Sequence, residues 1–320
     1  MRIVFMGSPG FGLTILRALL GAGHELALLV TQPDRPAGRA RRLRPPAVAA
    51  FAREKDLPLY QPESLREPGA RDPLVRAEPE VIVVAAFGML LPTAVLDLPP
   101  HGCLNVHPSL LPRYRGASPV QAVVLAGDAE TGVTIIKLVE QMDAGPIVAQ
   151  IRTPVAADED APTLEARLAA LGAGLLVDSL EPWAAGKLVA KPQDERKATY
   201  CPRFKRADAE LDWARPAAEL SRVVRAYRGR PDAFTYWDDR VLKVLAVEVA
   251  PVEAGVREPG VVFEPTPMTG PRRLAVGAGG GAVVLREVAL EGRRATTGEA
   301  FLNGYPGILG TRLRSKKPPC

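Results

Sequence analysis

Apolar residues recur along the chain in two rhythms. Short unbroken runs, "RIVFM" at 2–6, "ELALLVTQ" at 25–32, "VIVVAAF" at 81–87 and "GVTIIKLV" at 132–139, are rich in β-branched residues and bounded by turn formers, which predicts buried strands. Two weaker strands are expected around "LPLYQ" at 57–61 and through "GCLNVH" at 102–107. Between them, "FGLTILRALLGAG" at 11–23, "PAVAAFAREK" at 46–55 and "ASPVQAVVLAG" at 117–127 carry apolar residues at helical spacing. Strands and helices that alternate in this way predict an α/β fold, a doubly wound, mostly parallel sheet with helices on both faces. At the first turn, Ser8 is placed to cap a helix with Pro9 in its opening turn.

The texture changes after the long helical stretch "TLEARLAALGAGLLVDSLEPWAAG" at 163–186. Residues 187–205 are polar, charged and broken by prolines, which predicts a linker. Beyond it come one helix, "PAAELSRVVRAY", and five short strand candidates, "AFTYW", "VLKVLAVEV", "GVVFE", "RLAVGA" and "AVVLREVAL", separated by glycine and proline turns. That spacing favours a small β-barrel or sandwich, with "GAGGGAV" as a hairpin turn. The pattern divides the chain into a first domain at 1–186, a linker at 187–205, a second domain at 206–313 and a basic tail at 314–320.

Composition narrows the setting more than the chemistry. A formal charge of +5 over 320 residues fits a polyanionic partner without requiring one. Cys103, Cys201 and Cys320 are odd in number, far apart and free of any Cys-x-x-Cys pair, so neither a disulfide framework nor a metal site is expected. The start lacks the apolar core of an export signal, and no uncharged apolar run approaches the length of a membrane span. The expectation is a cytoplasmic monomer that makes no membrane contact.

Chemistry concentrates in two places. "GSPGFG" puts glycines at 7, 10 and 12, which is not the spacing of a dinucleotide-binding turn, so an NAD-dependent oxidoreductase is disfavoured. Asn105 and His107 lie two apart at the end of a strand candidate, on one face, and Asp143 follows another strand by a few residues. An amide, an imidazole and a carboxylate meeting in one crevice would suit acyl transfer, with the amide and imidazolium holding an oxyanion. The same spacing also allows a buried structural histidine and an aspartate that merely shapes the turn before Gly145.

"NVHPSLLPRYRGASPVQ", "MDAGPI", "AAFGMLLP" and "TQPDRPAGR" together resemble the folate-dependent formyltransferases, from the first strand into the C-terminal portion. The resemblance implies that Asn105, His107 and Asp143 are the catalytic set and that 10-formyltetrahydrofolate is the co-substrate. It further implies that Ser109, Leu110, Leu111 and Pro112 form the folate-associated segment, with the backbone of Phe87–Pro92 seating the pterin. Within the family the amine donor is a nucleotide, a sugar nucleotide or a charged tRNA, and some relatives only hydrolyse the formyl group. The stretch 31–46, with Arg35, Arg39, Arg41, Arg42 and Arg44 against the single acid Asp34, favours tRNA and is expected to form neither strand nor long helix. The tRNA-dependent members place this loop in the acceptor stem, which implies initiator methionyl-tRNA as the partner. They also carry an OB-like C-terminal domain, a barrel type that often binds oligonucleotides. There, Arg222, Arg225, Arg228 and the tail residues Arg312, Arg314, Lys316 and Lys317 are candidates to track phosphates. Two departures, "YRGRPDAF" and "TYCPRF", weaken any transfer of residue roles to that domain. A sugar-amine formyltransferase, a formyltetrahydrofolate hydrolase and a non-catalytic RNA-binding protein stay open on sequence alone.

Overall fold

The computed structural model describes residues 1–37, 42–229, 231–250, 257–265 and 272–315. Contacts divide the chain into two units, one of Met1–Pro119, Ala129–Val155 and Leu164–Pro202, the other of Val120–Asp128, Ala156–Thr163 and the chain from Arg203 on.

In the first unit the apolar runs become strands buried on both faces. The order along the chain is β1 (Arg2–Gly7), α1 (Gly10–Gly21), β2 (Glu25–Val30), β3 (Arg35–Ala37), β4 (Arg42–Arg44), α2 (Ala47–Glu54), β5 (Leu59–Tyr60), α3 (Asp72–Arg76) and β6 (Val81–Ala85). There follow α4 (Thr93–Leu96), β7 (Cys103–His107), β8 (Arg115–Gly116), α5 (Pro119–Ala126), β9 (Glu130–Lys137), β10 (Ile147–Pro154), α6 (Ala161–Ala184) and β11 (Tyr200–Cys201). All of α5 but its first residue clusters with the second unit. Seven strands pair in the order β10-β9-β7-β6-β1-β2-β5, parallel from β7 to β5 and antiparallel at β7–β9 and β9–β10. The side chains of Ile3, Val4, Phe5 and Met6 are wholly buried, as a central strand covered on both sides requires. One face packs Val4, Met6, Leu28, Val30, Ile82 and Val84 against Leu74, Phe87 and Val95.

The structure adds one strand and changes two expectations. The added strand, β10, is an antiparallel edge of the sheet, so it carries Gln150 and Arg152 and lacks the apolar continuity that marks a central strand. The stretch 31–46 does form strands: β3 and β4 make a hairpin pairing Arg35 with Arg44, Pro36 with Leu43 and Ala37 with Arg42. A backbone ladder needs no buried face, so a pattern of exposed arginines hides it. Ser8 does not cap α1, whose N-cap is Pro9; its hydroxyl instead accepts from the Gln32 backbone N–H at 3.0 Å, beside the carboxyl ends of β1 and β2.

Residues 187–205 are not a free tether. Lys191 exchanges backbone hydrogen bonds with Ile147, and β11 pairs in parallel with β8, Tyr200 beside Arg115 and Cys201 beside Gly116.

The second unit contains α7 (Ala217–Tyr227), β12 (Ala233–Trp237), β13 (Arg240–Val249), β14 (Val262–Phe263), β15 (Ala275–Ala278), β16 (Gly281–Leu290), β17 (Thr296–Thr297) and α8 (Gly298–Gly304). Its antiparallel sheet runs β12-β13-β16-β15-β14, and "GAGGGAV" supplies the β15–β16 hairpin. Residues 311–314 then bond both edges. Arg314 exchanges hydrogen bonds with Tyr236 of β12, the Val262 N–H of β14 donates to Thr311 O, and the Leu313 N–H donates to Gly260 O. Trp213 and Trp237 are buried; Trp213 donates to Thr235, and Trp237 meets Phe301 edge-on, with Tyr305 against both. Phe301→Ala removes the centre of that cluster and is expected to cost the second unit about 3–5 kcal/mol, read as a lower denaturant midpoint for its unfolding transition.

Candidate active site

β7 presents Asn105 and His107 on one face because strand side chains alternate with period two. The imidazole is almost fully buried, and its Nε2 lies 2.9 Å from the Tyr114 carbonyl oxygen. A carbonyl only accepts, so Nε2 carries a hydrogen and Nδ1 is the nitrogen left to face the site. Nδ1 lies 3.7 Å from Asp143 Oδ2, beyond hydrogen-bond length, so Tyr114 and not Asp143 holds the ring in this geometry. Asn105 Nδ2 donates to Asp143 Oδ1 at 3.4 Å, a long contact.

Asp143 reaches this point by a route the alternation of strands does not predict. β9 runs antiparallel to β7 and ends with Lys137 opposite Leu104, after which the chain turns back through Leu138, whose N–H donates to Cys103 O. The turn depends on Gly145, where a Cβ would stand 1.8 Å from the Lys137 carbonyl oxygen. Asp143 adopts a left-handed backbone conformation, φ 50°, and three donors hold it. The Gly116 N–H donates to its Oδ2 at 2.9 Å, Asn105 to its Oδ1, and Gln193 Nε2 to its backbone carbonyl at 2.8 Å.

The segment from Ser109 to Pro112 is a tied loop. Ser109 is fully buried and its hydroxyl donates to Arg113 O at 2.7 Å; Leu111 is buried, while Leu110 and Pro112 are half-buried. Thr134 of β9 organises it: the hydroxyl donates to Ser109 O at 2.7 Å and accepts from the Leu111 N–H at 3.1 Å and from Gln150 Nε2 at 2.8 Å. Gln150 also donates to Leu111 O at 3.0 Å. The Ser109 and Leu111 side chains are thus spent on packing and loop closure, and the carbonyls of 109–112 are all hydrogen-bonded within the unit, which leaves the Leu110 and Pro112 side chains for a ligand.

The Phe87–Pro92 stretch begins at the end of β6, with Ala86 and Gly88 both at positive φ. Gln32 Nε2 donates to Phe87 O at 3.1 Å, while Leu90 stands 60% exposed, an apolar side chain on a loop rich in backbone polar groups.

Among the basic residues of 31–46, Arg35, Arg42 and Arg44 are exposed on the β3–β4 hairpin and form no ion pair with a described residue; Arg39 and Arg41 lie outside the described residues. Asp34 is occupied: Arg53 donates to both its oxygens and holds its carboxyl below the usual range. In the second unit, Arg225 of α7 and Arg228 just beyond it are used internally. Arg225 donates to Glu159 O at 3.0 Å, and Arg228 pairs with Asp160 and Glu287 at 3.4 Å each. Lys316 and Lys317 lie outside the described residues.

Neither of the two described thiols is a ready nucleophile. Burial pushes the Cys103 thiol up to about 12, and burial also raises that of Cys201, whose Sγ bonds Arg115 O at 3.4 Å. Among the described residues no group of three His, Cys, Asp or Glu side chains could hold a metal ion, and no helix is long and apolar enough to cross a membrane.

A profile of formyl transferases matches residues 1–180, and one of the formyl transferase C-terminal domain matches 203–306. The methionyl-tRNA formyltransferase of Thiobacillus denitrificans is 44% identical over 313 residues, 98% of this chain and 99% of that one; the Geobacter sulfurreducens protein of the same name is 41% identical over 98% and 96%. The chain belongs to the methionyl-tRNA formyltransferase family. In fold, the chain also resembles HypX of Aquifex aeolicus, solved with tetrahydrofolic acid (TM-score 0.65, 17% identity, 97% of this chain and 48% of that one). A second likeness is to WlaRD, a sugar 3N-formyl transferase solved with dTDP and 5-N-formyl-THF (TM-score 0.63, 14% identity, 92% and 99%).

Two groups of this formyltransferase carry no signal in the sequence. Thr134 lies unmarked within the strand predicted at 132–139, and Gln150 lies in no predicted element. Arg115 is 1% exposed and donates to Gln193 and Glu195. Thr134→Val keeps the shape and strands the buried Leu111 N–H, an expected loss of about 1–3 kcal/mol in chemical denaturation. Arg115 donates to Glu195 and holds its carboxyl below the ordinary range, so the pair's stabilising contribution is full at neutral pH and is lost as pH falls through that lowered value. Acid titration of stability should therefore show a shallower decline in Glu195→Gln than in the native chain.

Proposed function

We propose that this chain transfers the formyl group of 10-formyltetrahydrofolate to the α-amino group of initiator methionyl-tRNA, and that Asn105, His107 and Asp143 carry the reaction. The observation behind the residue assignment is the convergence of those three side chains around one point, in a chain whose likeness to the named transferases runs its whole length.

The amine of the aminoacyl group attacks the formyl carbon, and the formyl oxygen becomes an alkoxide. Asn105 has a second amide hydrogen besides the one aimed at Asp143, and it donates that hydrogen to the alkoxide. His107, with Nε2–H committed to Tyr114, meets the alkoxide through Nδ1–H in its protonated form. Asp143 keeps its carboxylate beside both and accepts the proton released by the attacking amine, directly or through water, on its way to the departing folate nitrogen. The substrate brings its own nucleophile, in keeping with buried thiols that stay protonated.

The flat pterin suits the Phe87–Pro92 loop, which offers backbone hydrogen-bonding groups beside the exposed Leu90, with Leu110 and Pro112 as further apolar contacts. Arg35 and Arg44 face each other across the hairpin, a like-charge pairing that is unfavourable until a polyanion neutralises it. Phosphates of an acceptor stem would do so, together with Arg42 and the residues Arg39 and Arg41 of the same loop.

Asn105→Ala and His107→Ala are each expected to lower kcat about 100 to 1,000-fold while leaving tRNA affinity and the melting temperature near native values. The assay follows formylation of charged initiator methionine tRNA by 10-formyltetrahydrofolate; formate released at an equal rate without tRNA would instead identify a hydrolase, and near-native turnover in either variant would overturn the residue roles.

A further inference from the structure

The segment 191–201, expected from sequence to be a tether, holds the site aspartate at both of its ends. Gln193 Nε2 donates to the carbonyl oxygens of Asp143 at 2.8 Å and of Gly145 at 2.7 Å, using both hydrogens of one amide to bridge the turn. An amide can do this only if its oxygen faces the other way, and Arg115 fixes that choice, donating to Gln193 Oε1 through Nε at 3.1 Å and Nη2 at 2.8 Å. The guanidinium is buried, and Glu195 balances its charge with oxygens at 2.7 and 2.9 Å from Nη2 and Nη1. The same segment also backs the carboxylate. β11 lies along β8, and Gly116, at φ 116°, passes so close to Cys201 that a Cβ there would stand 2.4 Å from the Cys201 carbonyl oxygen. The Gly116 N–H thereby points at Asp143 Oδ2.

We infer that Gln193, oriented by Arg115, is a positioning residue for formyl transfer: it keeps the Asp143 turn in its left-handed conformation and so aims the carboxylate at Asn105 and His107. Gln193 touches no reacting atom. Its effect passes entirely through Asp143, and this inference rests on the reading of Asp143 given above. A displacement of about 1 Å at a reacting group can cost as much as 100-fold in rate, so the loss belongs in kcat and not in substrate affinity.

The test is a double-mutant cycle in the full-length chain, with kcat and KM measured for both formyl donor and charged tRNA. Gln193→Leu removes the amide, and Gln193→Glu keeps the shape and the Arg115 contact but cannot donate to the two carbonyls, so it reads the same loss should the leucine variant fail to fold. Each is expected to lower kcat between about 10- and 100-fold with both KM values within about twofold of native, and to cost nothing further when Asp143 is already Asn. Undiminished kcat in the folded Gln193 variants, or an equal loss in the Asp143→Asn background, would overturn the positioning role. Native turnover in Asp143→Asn alone would instead overturn the role of Asp143 itself, so the two failures are distinguishable.

Discussion

A backbone in the left-handed region costs a non-glycine residue conformational energy, and Asp143 persists there because its surroundings leave it no alternative. Its carbonyl is taken by Gln193, its carboxylate by Gly116 and Asn105, and the residue two further on must be glycine for the turn to clear β9. From that single constraint the arrangement of the region follows. Gly116 points its N–H correctly because β8 is pinned to β11, and β11 is in reach because Lys191 is bonded to Ile147 beyond the end of the turn. The imidazole is anchored separately, on Tyr114, one residue before β8. His107 and Asp143 are thus both referred to one short stretch, 114–116, whose own geometry includes two positive φ values.

Burial divides the labour between scaffold and chemistry. The strands under the site bury Leu104, Val106, Val133, Ile135 and Ile136, and they impose register: β7 is locked between β6 and β9, so the face that Asn105 and His107 occupy cannot slip by one residue without turning both into the opposite layer. Polar groups near the site are almost all spoken for. The Thr134 hydroxyl makes one donation and two acceptances, its full capacity, and Ser109 is closed onto its own loop. What stays uncommitted is therefore informative: one Asn105 hydrogen, His107 Nδ1, and the free lone pairs of Asp143.

The sequence was legible where the signal was local. β1, β2, β6 and β9 announce themselves as apolar runs, and Asn105 with His107 stands out because two polar residues share one face of a buried strand. Asp143 stands out by its motif alone, since its approach to Asn105 depends on β9 running antiparallel to β7, which no local pattern records. Arg115 and Gln193 were not legible, since the partners lie 78 residues apart and neither has a meaning without the other. The hairpin at Arg35–Arg44 escaped for a different reason, being made of backbone pairing with no buried face to impose a pattern. Ser8 stands where a helix cap is expected, but its hydroxyl serves the neighbouring strand end at Gln32.

Residues 311–314 close the sheet of the second unit at both of its edges, bonding Tyr236 of β12 on one side and Val262 of β14 on the other. Were this stretch to detach, both outer strands would present rows of unpaired backbone groups, and open edges of that kind invite pairing with another chain. Four residues of extended backbone thus stand between this sheet and strand addition from outside.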